Sequence, residues 1–123
     1  VGNNLSIEFL GYVKNPLDQI RNADIMINPV DEGSGVQTKI IETLAAGTTV
    51  VSARSGARGI NQRLAPEKLL LVEDGDWAGF AEKICGLHAS GKTNLPTPVT
   101  FFSEYAERTI TDRIVSSLTR NDR

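Results

Sequence analysis

Short apolar runs alternate with amphipathic stretches along the chain, which predicts alternating strands and helices. The run at 24–30 is apolar at successive positions, a pattern typical of a strand buried on both faces of a parallel sheet. The run at 48–53 is rich in β-branched residues and predicts a buried strand, and the run at 69–72 predicts a further one. Apolar and polar residues alternate over 5–10 before Gly11, which predicts a further strand.

Helices are predicted over 16–23, 35–46, 76–87 and 101–118, with a linker over 89–98. Ile40 and Leu44 are expected on the sheet-facing side of the second helix, which Gly47 ends. Asp76 is expected to cap the third helix, and Phe102 to lie on the apolar side of the fourth.

This order of elements predicts an α/β fold, a Rossmann-like parallel sheet with helices on both faces. Four strands make a thin sheet, so we expect that a first βα unit is missing and that the chain is a fragment. We assign residues 1–95 to the Rossmann-like domain, and 96–123 to a linker and a C-terminal helix that packs on this domain or on a missing one. Ligands of such sheets bind outside the carboxyl ends of the strands. The loops expected to meet there are 31–35, 54–60 and 73–76.

The turn at 31–35 and the helix after it carry the strongest candidate chemistry. Glycines in the turn let a ligand approach the backbone, and the N-terminus of the helix offers unpaired N–H groups to a phosphate. Glu42 lies two turns into the helix, roughly 12 Å along its axis from Ser34. A diphosphate at the turn and a ribose near Glu42 are therefore the leading hypothesis. The stretch is neither a Walker A loop nor a complete GxGxxG fingerprint.

The same residues also have purely structural interpretations. Ser34 and Gln37 match a capping box, and Glu42 is able to pair with Lys39 on the helix surface. Spacing alone favours a solvated Glu42.

Other conspicuous side chains are also interpreted as structural. We expect Cys85 to be a packed thiol, His88 to sit favourably at a helix C-terminus, and Trp77 to pack at a helix start. Arg58 has two interpretations, a solvated loop residue or a phosphate ligand.

Composition limits the function classes. The net charge of −2 gives no electrostatic case for nucleic-acid binding, and no apolar stretch approaches a membrane span. One His and one Cys argue against a zinc site, so we expect no metal.

Several motifs occur in a specific order and spacing, which resembles the C-terminal, nucleotide-sugar-binding domain of a GT-B glycosyltransferase of the group 1, family 4 class. The resemblance covers residues 5 to about 115. It rests on Phe9-Leu10-Gly11-Tyr12-Val13, Ala23-Asp24, the Gly-Ser-Gly turn at 33–35, Lys39-Ile40-Ile41-Glu42, Ala45-Ala46-Gly47-Thr48-Thr49-Val50-Val51, Gly56-Ala57-Arg58-Gly59-Ile60, Leu70-Leu71-Val72, Phe80-Ala81 and Phe102-Ser103.

The resemblance implies a retaining transfer of a sugar from a nucleoside diphosphate donor, without a metal or a cofactor. It implies that Glu42 binds the ribose hydroxyls. The nucleotide-sugar-binding residues implied are Gly33, Ser34, Gly35, Val36, Gln37, Thr38 and Glu42, with Lys39, Gly56 and Arg58 as further candidates.

The chain also departs from the family pattern. The family often has two glutamates closer together than Glu32 and Glu42, which are separated by nine residues here. The catalytic residue is therefore unknown, with Glu32 as a candidate. We expect the family's basic pair and its N-terminal acceptor domain to lie outside this chain, and we predict that the 123-residue chain alone has no transferase activity.

The resemblance also sets the expected partners and location. We expect a nucleotide-sugar donor and the missing acceptor domain as partners, with the C-terminal helix as a candidate homodimer surface. A cytoplasmic location is expected, with the cytoplasmic face of the membrane as the alternative for the full enzyme. Two other classes stay open: a non-catalytic module that binds a nucleotide or sugar phosphate, and a ligand-free Rossmann-like interaction domain.

Overall fold

A computed structural model describes residues 6–30 and 36–105 of the chain. Its sheet has three parallel strands in the order β1 (Ile25–Asn28), β2 (Thr49–Ala53) and β3 (Leu69–Val72). All five residues of β2 are buried, because β2 has a neighbour on each side and helices above and below. This arrangement confirms the α/β, Rossmann-like prediction.

Three complete helices occur in the described residues: α1 (Pro16–Asn22), α2 (Val36–Ala45) and α3 (Trp77–Ser90). A fourth helix, α4, covers residues 99–105 of the described part of the chain. Short 3₁₀ turns lie at Ser55–Ala57, Gln62–Leu64 and Lys92–Asn94. Within the described residues, no helix is long and apolar enough to span a membrane.

Two apolar clusters cover the two faces of the sheet. On one face, α2 and α4 pack against the strands through Ile40, Leu44 and Phe101, which are almost fully buried. On the other face, α3 contributes Phe80 and Leu87 to a second cluster. Burying such side chains contributes about 1.5–3 kcal/mol each, so the helices hold the sheet from both sides.

Single residues set the end of α2 and the start of α3. Gly47 has a φ of +91°, and its N–H donates to the carbonyl of Leu44, while the N–H of Thr48 donates to that of Thr43. This is a Schellman motif, which needs a glycine at the left-handed position. At the start of α3, the side chain of Asp76 accepts from the N–H of Gly79 at 2.9 Å. Both ends were predicted from these residues.

The stretch predicted as a linker, 89–98, is instead tied to the amino-terminal edge of the sheet. Thr97 donates its hydroxyl to the carbonyl of Leu44 at 2.6 Å, and Thr49 donates to that of Thr93 at 3.1 Å. The ammonium of Lys68, 1% exposed, donates to Gly47 O at 2.8 Å and to Thr93 O at 3.4 Å. Burial lowers the pKa of Lys68, and these two carbonyls offset part of the cost of its charge.

The strand predicted over 5–10 is wrong for its described part. Residues 6–10 form no strand, and Ile7 and Phe9 are more than nine-tenths exposed. Alternation predicts a half-buried strand only where a partner strand supplies the ladder, and no described strand pairs with this segment. The expectation that β1 is buried on both faces is also wrong. It is an edge strand in the described sheet, and Ile27 is 47% exposed.

Two helix faces also differ from the predictions. Cys85 is exposed, because α3 packs through Phe80, Ile84 and Leu87, and Cys85 lies past the edge of that stripe. In α4, Phe101 is buried and Phe102 is 37% exposed, although the pattern predicted Phe102 on the apolar side. The predicted part of this helix beyond residue 105 lies outside the described residues.

Candidate functional site

The loops that follow β2 and β3 meet at the carboxyl edge of the sheet, as predicted. Arg54 directly follows β2, and Glu73 directly follows β3. The guanidinium Nε of Arg54 donates to Glu73 Oε1 at 2.8 Å, and both side chains are largely exposed. An exposed pair contributes little to stability, so its main effect is to offset the charge of Arg54. The third expected loop, 31–35, lies outside the described residues.

A second contact between these loops fixes the turn Ser55–Ala57. Asp74 Oδ1 accepts the backbone N–H of Ser55 at 3.0 Å, and Asp74 Oδ2 accepts the Ser55 hydroxyl. The guanidinium of Arg58 lies 3.5 Å from the Ser55 hydroxyl oxygen. The two hydrogen bonds from Ser55, with weaker help from the charges of Arg58 and Arg54, lower the pKa of Asp74.

The lowered pKa of Asp74 predicts how this loop contact responds to acid. The folded-state pKa lies below the ordinary 3.8, so the charged hydrogen bonds are fully present above 3.8. They are lost as the pH falls through the lower, folded-state value. We expect the amide resonance of Ser55 to titrate with an apparent pKa below 3.8. An amide titration followed by NMR measures this, with Asp74→Asn as the control that abolishes the transition. A midpoint at 3.8 or above in the wild-type chain contradicts the prediction.

A tight contact joins the end of β1 to the same turn. Asn28, the last residue of β1, is the register partner of Ser52, and its Nδ2 donates to Ser52 Oγ at 3.0 Å and to Val30 O at 3.4 Å. Gly56 packs directly against the Asn28 amide and the carbonyl of Val30. A Cβ at Gly56 would lie 2.5 Å from both Asn28 Nδ2 and Val30 O, closer than real side chains approach.

Helix α2 begins at Val36, immediately after the glycine-rich turn, and touches the same loop. Its first-turn residue Gln37, half-buried, donates from Nε2 to the carbonyl of Arg58 at 3.1 Å. Thr38 and Lys39 are exposed, and Glu42 on the same side of the helix is half-buried. The opposite side carries the buried Ile40 and Leu44, as the helical pattern predicted.

The predicted site residues therefore fall into three groups. Glu32, Gly33, Ser34 and Gly35 lie outside the described residues, and the side chain of Val36 is not described. Gln37 and Gly56 are engaged in packing the loop after β2. Thr38, Lys39, Glu42 and Arg58 lie on α2 or on the loop beside it, with their side chains at least partly open to solvent.

Asn28, Ser52 and Asp74 also organise this edge, and the sequence pattern did not single them out. A polar residue at the last position of an apolar run is the signal that would have marked Asn28. Among the described residues, no group of three or more His, Cys, Asp or Glu side chains is arranged to hold a metal ion. An open groove of about 430 Å³ between α3 and β3, lined in part by Leu70, Glu82 and Lys92, contains none of these site residues.

The comparisons with known proteins identify the family. The family described as Glycosyl transferases group 1 matches residues 2–90, which is most of the chain. The matched range contains the three described strands, the glycine-rich segment 31–35, α2 and the loop after β2. A search of curated proteins gave no match, and neither did a search of solved structures. The range of the family match shows that the chain belongs to the group 1 glycosyltransferases.

Proposed function

We propose that the chain is the donor-binding, C-terminal domain of a GT-B glycosyltransferase of the family 4 class. The full enzyme transfers a sugar from a nucleoside diphosphate sugar to an acceptor with retention of configuration. The observation that carries the proposal is the position of α2. This helix starts at the carboxyl edge of a parallel sheet, directly after the glycine-rich sequence 31–35 and in contact with the neighbouring loop through Gln37.

The chemistry of donor binding follows from this position. Backbone N–H groups at the start of α2 bind the diphosphate, because the first turn of a helix has unpaired donors and the positive end of the helix dipole. Glu42 accepts hydrogen bonds from the ribose hydroxyls, and the loop 56–60 borders the nucleotide. These interactions bind the departing nucleoside diphosphate without a metal.

Two further parts of the active site, the catalytic group and the acceptor site, complete this proposal. The catalytic group is unassigned, with Glu32 as its candidate within the chain, and the acceptor binds to a separate domain. The chain alone then binds the donor and does not transfer the sugar. The domain assignment of 1–95, the candidate homodimer surface on the C-terminal helix and the cytoplasmic location belong to the same proposal.

An NMR titration tests donor binding. The ¹⁵N-labelled chain is titrated with UDP, GDP and their sugars, and amide shifts are mapped. We expect saturable shifts centred on 33–36 and on Glu42, and none around Thr93 at the opposite edge of the sheet. Shifts with sugar phosphates alone favour a non-catalytic sugar-phosphate module. The absence of any saturable shift contradicts the proposal and favours an interaction domain.

A further inference from the structure

Helix α4 holds the far end of the loop 56–60 through a buried tyrosine. The backbone N–H of Asn61, directly after the loop, donates to the hydroxyl oxygen of Tyr105 at 2.7 Å. Tyr105 lies 44 residues further along the chain and is 5% exposed. The family match ends at residue 90, so this contact is supplied by a part of the chain outside the matched range.

The segment before α4 fixes where this helix lies. Thr97 is hydrogen-bonded to the last turn of α2, and Thr93 O accepts from the buried ammonium of Lys68 at the amino-terminal edge of the sheet. From there α4 packs along the face that carries α2, with Phe101 almost fully buried. Because the helix is tied at its start and buried along its length, Tyr105 has a fixed position beside the loop.

The same helix also packs against the apolar residues of the loop. Ala57, 4% exposed, belongs to one buried cluster with Phe101 and Tyr105, and Ile60 packs against that cluster. The rings of Phe101 and Tyr105 lie 4.9 Å apart between their centroids, which limits rotation of the tyrosine. The apolar contacts thus hold the loop on the face of the sheet, and the Tyr105 hydroxyl fixes where the loop ends.

The backbone of the loop is held at three points. Asp74 holds the residue just before it, and Gln37 of α2 holds its middle by donating to Arg58 O at 3.1 Å. Tyr105 holds its end. Gly59, between the last two points, has a φ of +89°, a left-handed conformation that favours glycine. The exposed peptide groups around Gly59 therefore take their direction from the contacts on both sides.

We propose that Tyr105 is a positioning residue for the loop 56–60, and the part that this loop takes in nucleotide binding rests on the proposed function. The hydroxyl oxygen of Tyr105 keeps the loop in one conformation before the nucleotide arrives. A wall that is already ordered binds a ligand without the cost of ordering it. Tyr105 itself is buried and touches no ligand in this role.

The variant Tyr105→Phe tests this role, because it removes the accepting oxygen and keeps the buried ring. In the free protein, we expect the amide resonances of 56–61 to shift. The Asn61 amide should exchange with solvent at least about tenfold faster, since it has lost its acceptor. Affinity for UDP or GDP should fall about threefold to tenfold, the equivalent of one neutral hydrogen bond.

Two controls separate positioning from packing. Tyr12→Phe is the same change at a tyrosine that is 92% exposed, and it should alter neither the loop nor the affinity. Phe80→Leu weakens the apolar cluster on the other face of the sheet, and it should lower stability without changing the loop or the affinity. Affinities are measured by NMR titration of the 123-residue chain, at a temperature where thermal unfolding shows each variant folded.

The outcomes distinguish this inference from the proposed function. Unchanged resonances of 56–61 in Tyr105→Phe, or affinities within about twofold of the wild type, overturn the role of Tyr105. An equal loss of affinity in Phe80→Leu assigns the effect to stability and overturns it as well. If the wild-type chain binds neither UDP nor GDP, the proposed function fails. The resonances of the free protein and the exchange of the Asn61 amide then decide whether Tyr105 positions the loop.

Discussion

Replacing Glu42 by alanine is expected to weaken binding of the nucleoside diphosphate donor by about 10- to 100-fold. A carboxylate that accepts hydrogen bonds from ribose hydroxyls contributes about 1.5–3 kcal/mol, the range measured for hydrogen bonds to charged groups. Glu42 lies on the side of α2 that also carries the exposed Thr38 and Lys39, and it is half-buried. The measurement is an affinity titration with UDP and GDP, followed by amide shifts at 33–36.

Two further variants sharpen this prediction. Glu42→Gln keeps the size of the side chain and part of its accepting ability, so it should lose less affinity than Glu42→Ala. Glu67→Gln, a change at an exposed glutamate just before β3, should leave the affinity unchanged. Unfolding measurements on each variant confirm that the binding is compared between folded proteins. Wild-type affinity in Glu42→Ala removes Glu42 from the donor site.

The three strands of the described sheet could be predicted because short apolar or β-branched runs favour strands that are covered by helices. In β2, successive β-branched residues are all buried, since the strand has two neighbours and is covered on both faces. The ends of α2 and α3 could be predicted because Gly47 and Asp76 act locally, through a left-handed φ and a side-chain cap. The segment at 6–10 shows the limit. Alternation describes a strand, but it does not specify which strand lies beside it.

The candidate site was predicted in part for a similar reason. The order of strands and helices in the sequence was sufficient to predict that α2 begins at the carboxyl edge of the sheet. The roles of Gln37 and Gly56 were not predictable, because they depend on contacts between loops far apart in sequence. Gly56 was a candidate for ligand contact. The structure shows it packed against Asn28 and Val30, which requires the absence of a side chain whether or not Gly56 also contacts a ligand.

Gly56→Ala is expected to be the most damaging single substitution at this edge. Its Cβ would lie 2.5 Å from Val30 O, a backbone atom with little freedom to move, and equally close to Asn28 Nδ2. Overpacking of this kind costs about 1–3 kcal/mol. We expect the free energy of unfolding to fall by that amount. We also expect UDP or GDP affinity to drop at least about tenfold, because the clash displaces the end of β1 beside the proposed donor site.

Gly86→Ala is the matched control for this prediction. Gly86 lies inside α3, and an added Cβ there would meet no atom within 4 Å. Alanine in place of a helical glycine should raise the free energy of unfolding by about 1 kcal/mol and leave nucleotide affinity unchanged. Chemical denaturation measures the free energy of unfolding of both variants, and a nucleotide titration measures their affinities. Equal effects of the two substitutions would contradict the prediction that the close packing at Gly56 excludes a side chain.

The double variant Asn28→Ala/Gly56→Ala tests whether the strain is local to this contact. Removing the Asn28 amide opens space on one side of the new Cβ, while Val30 O still opposes it on the other. The cost of the double variant should therefore be smaller than the sum of the two single costs by about 0.5 kcal/mol or more. Additive costs would mean that Gly56 and Asn28 stabilise the site independently.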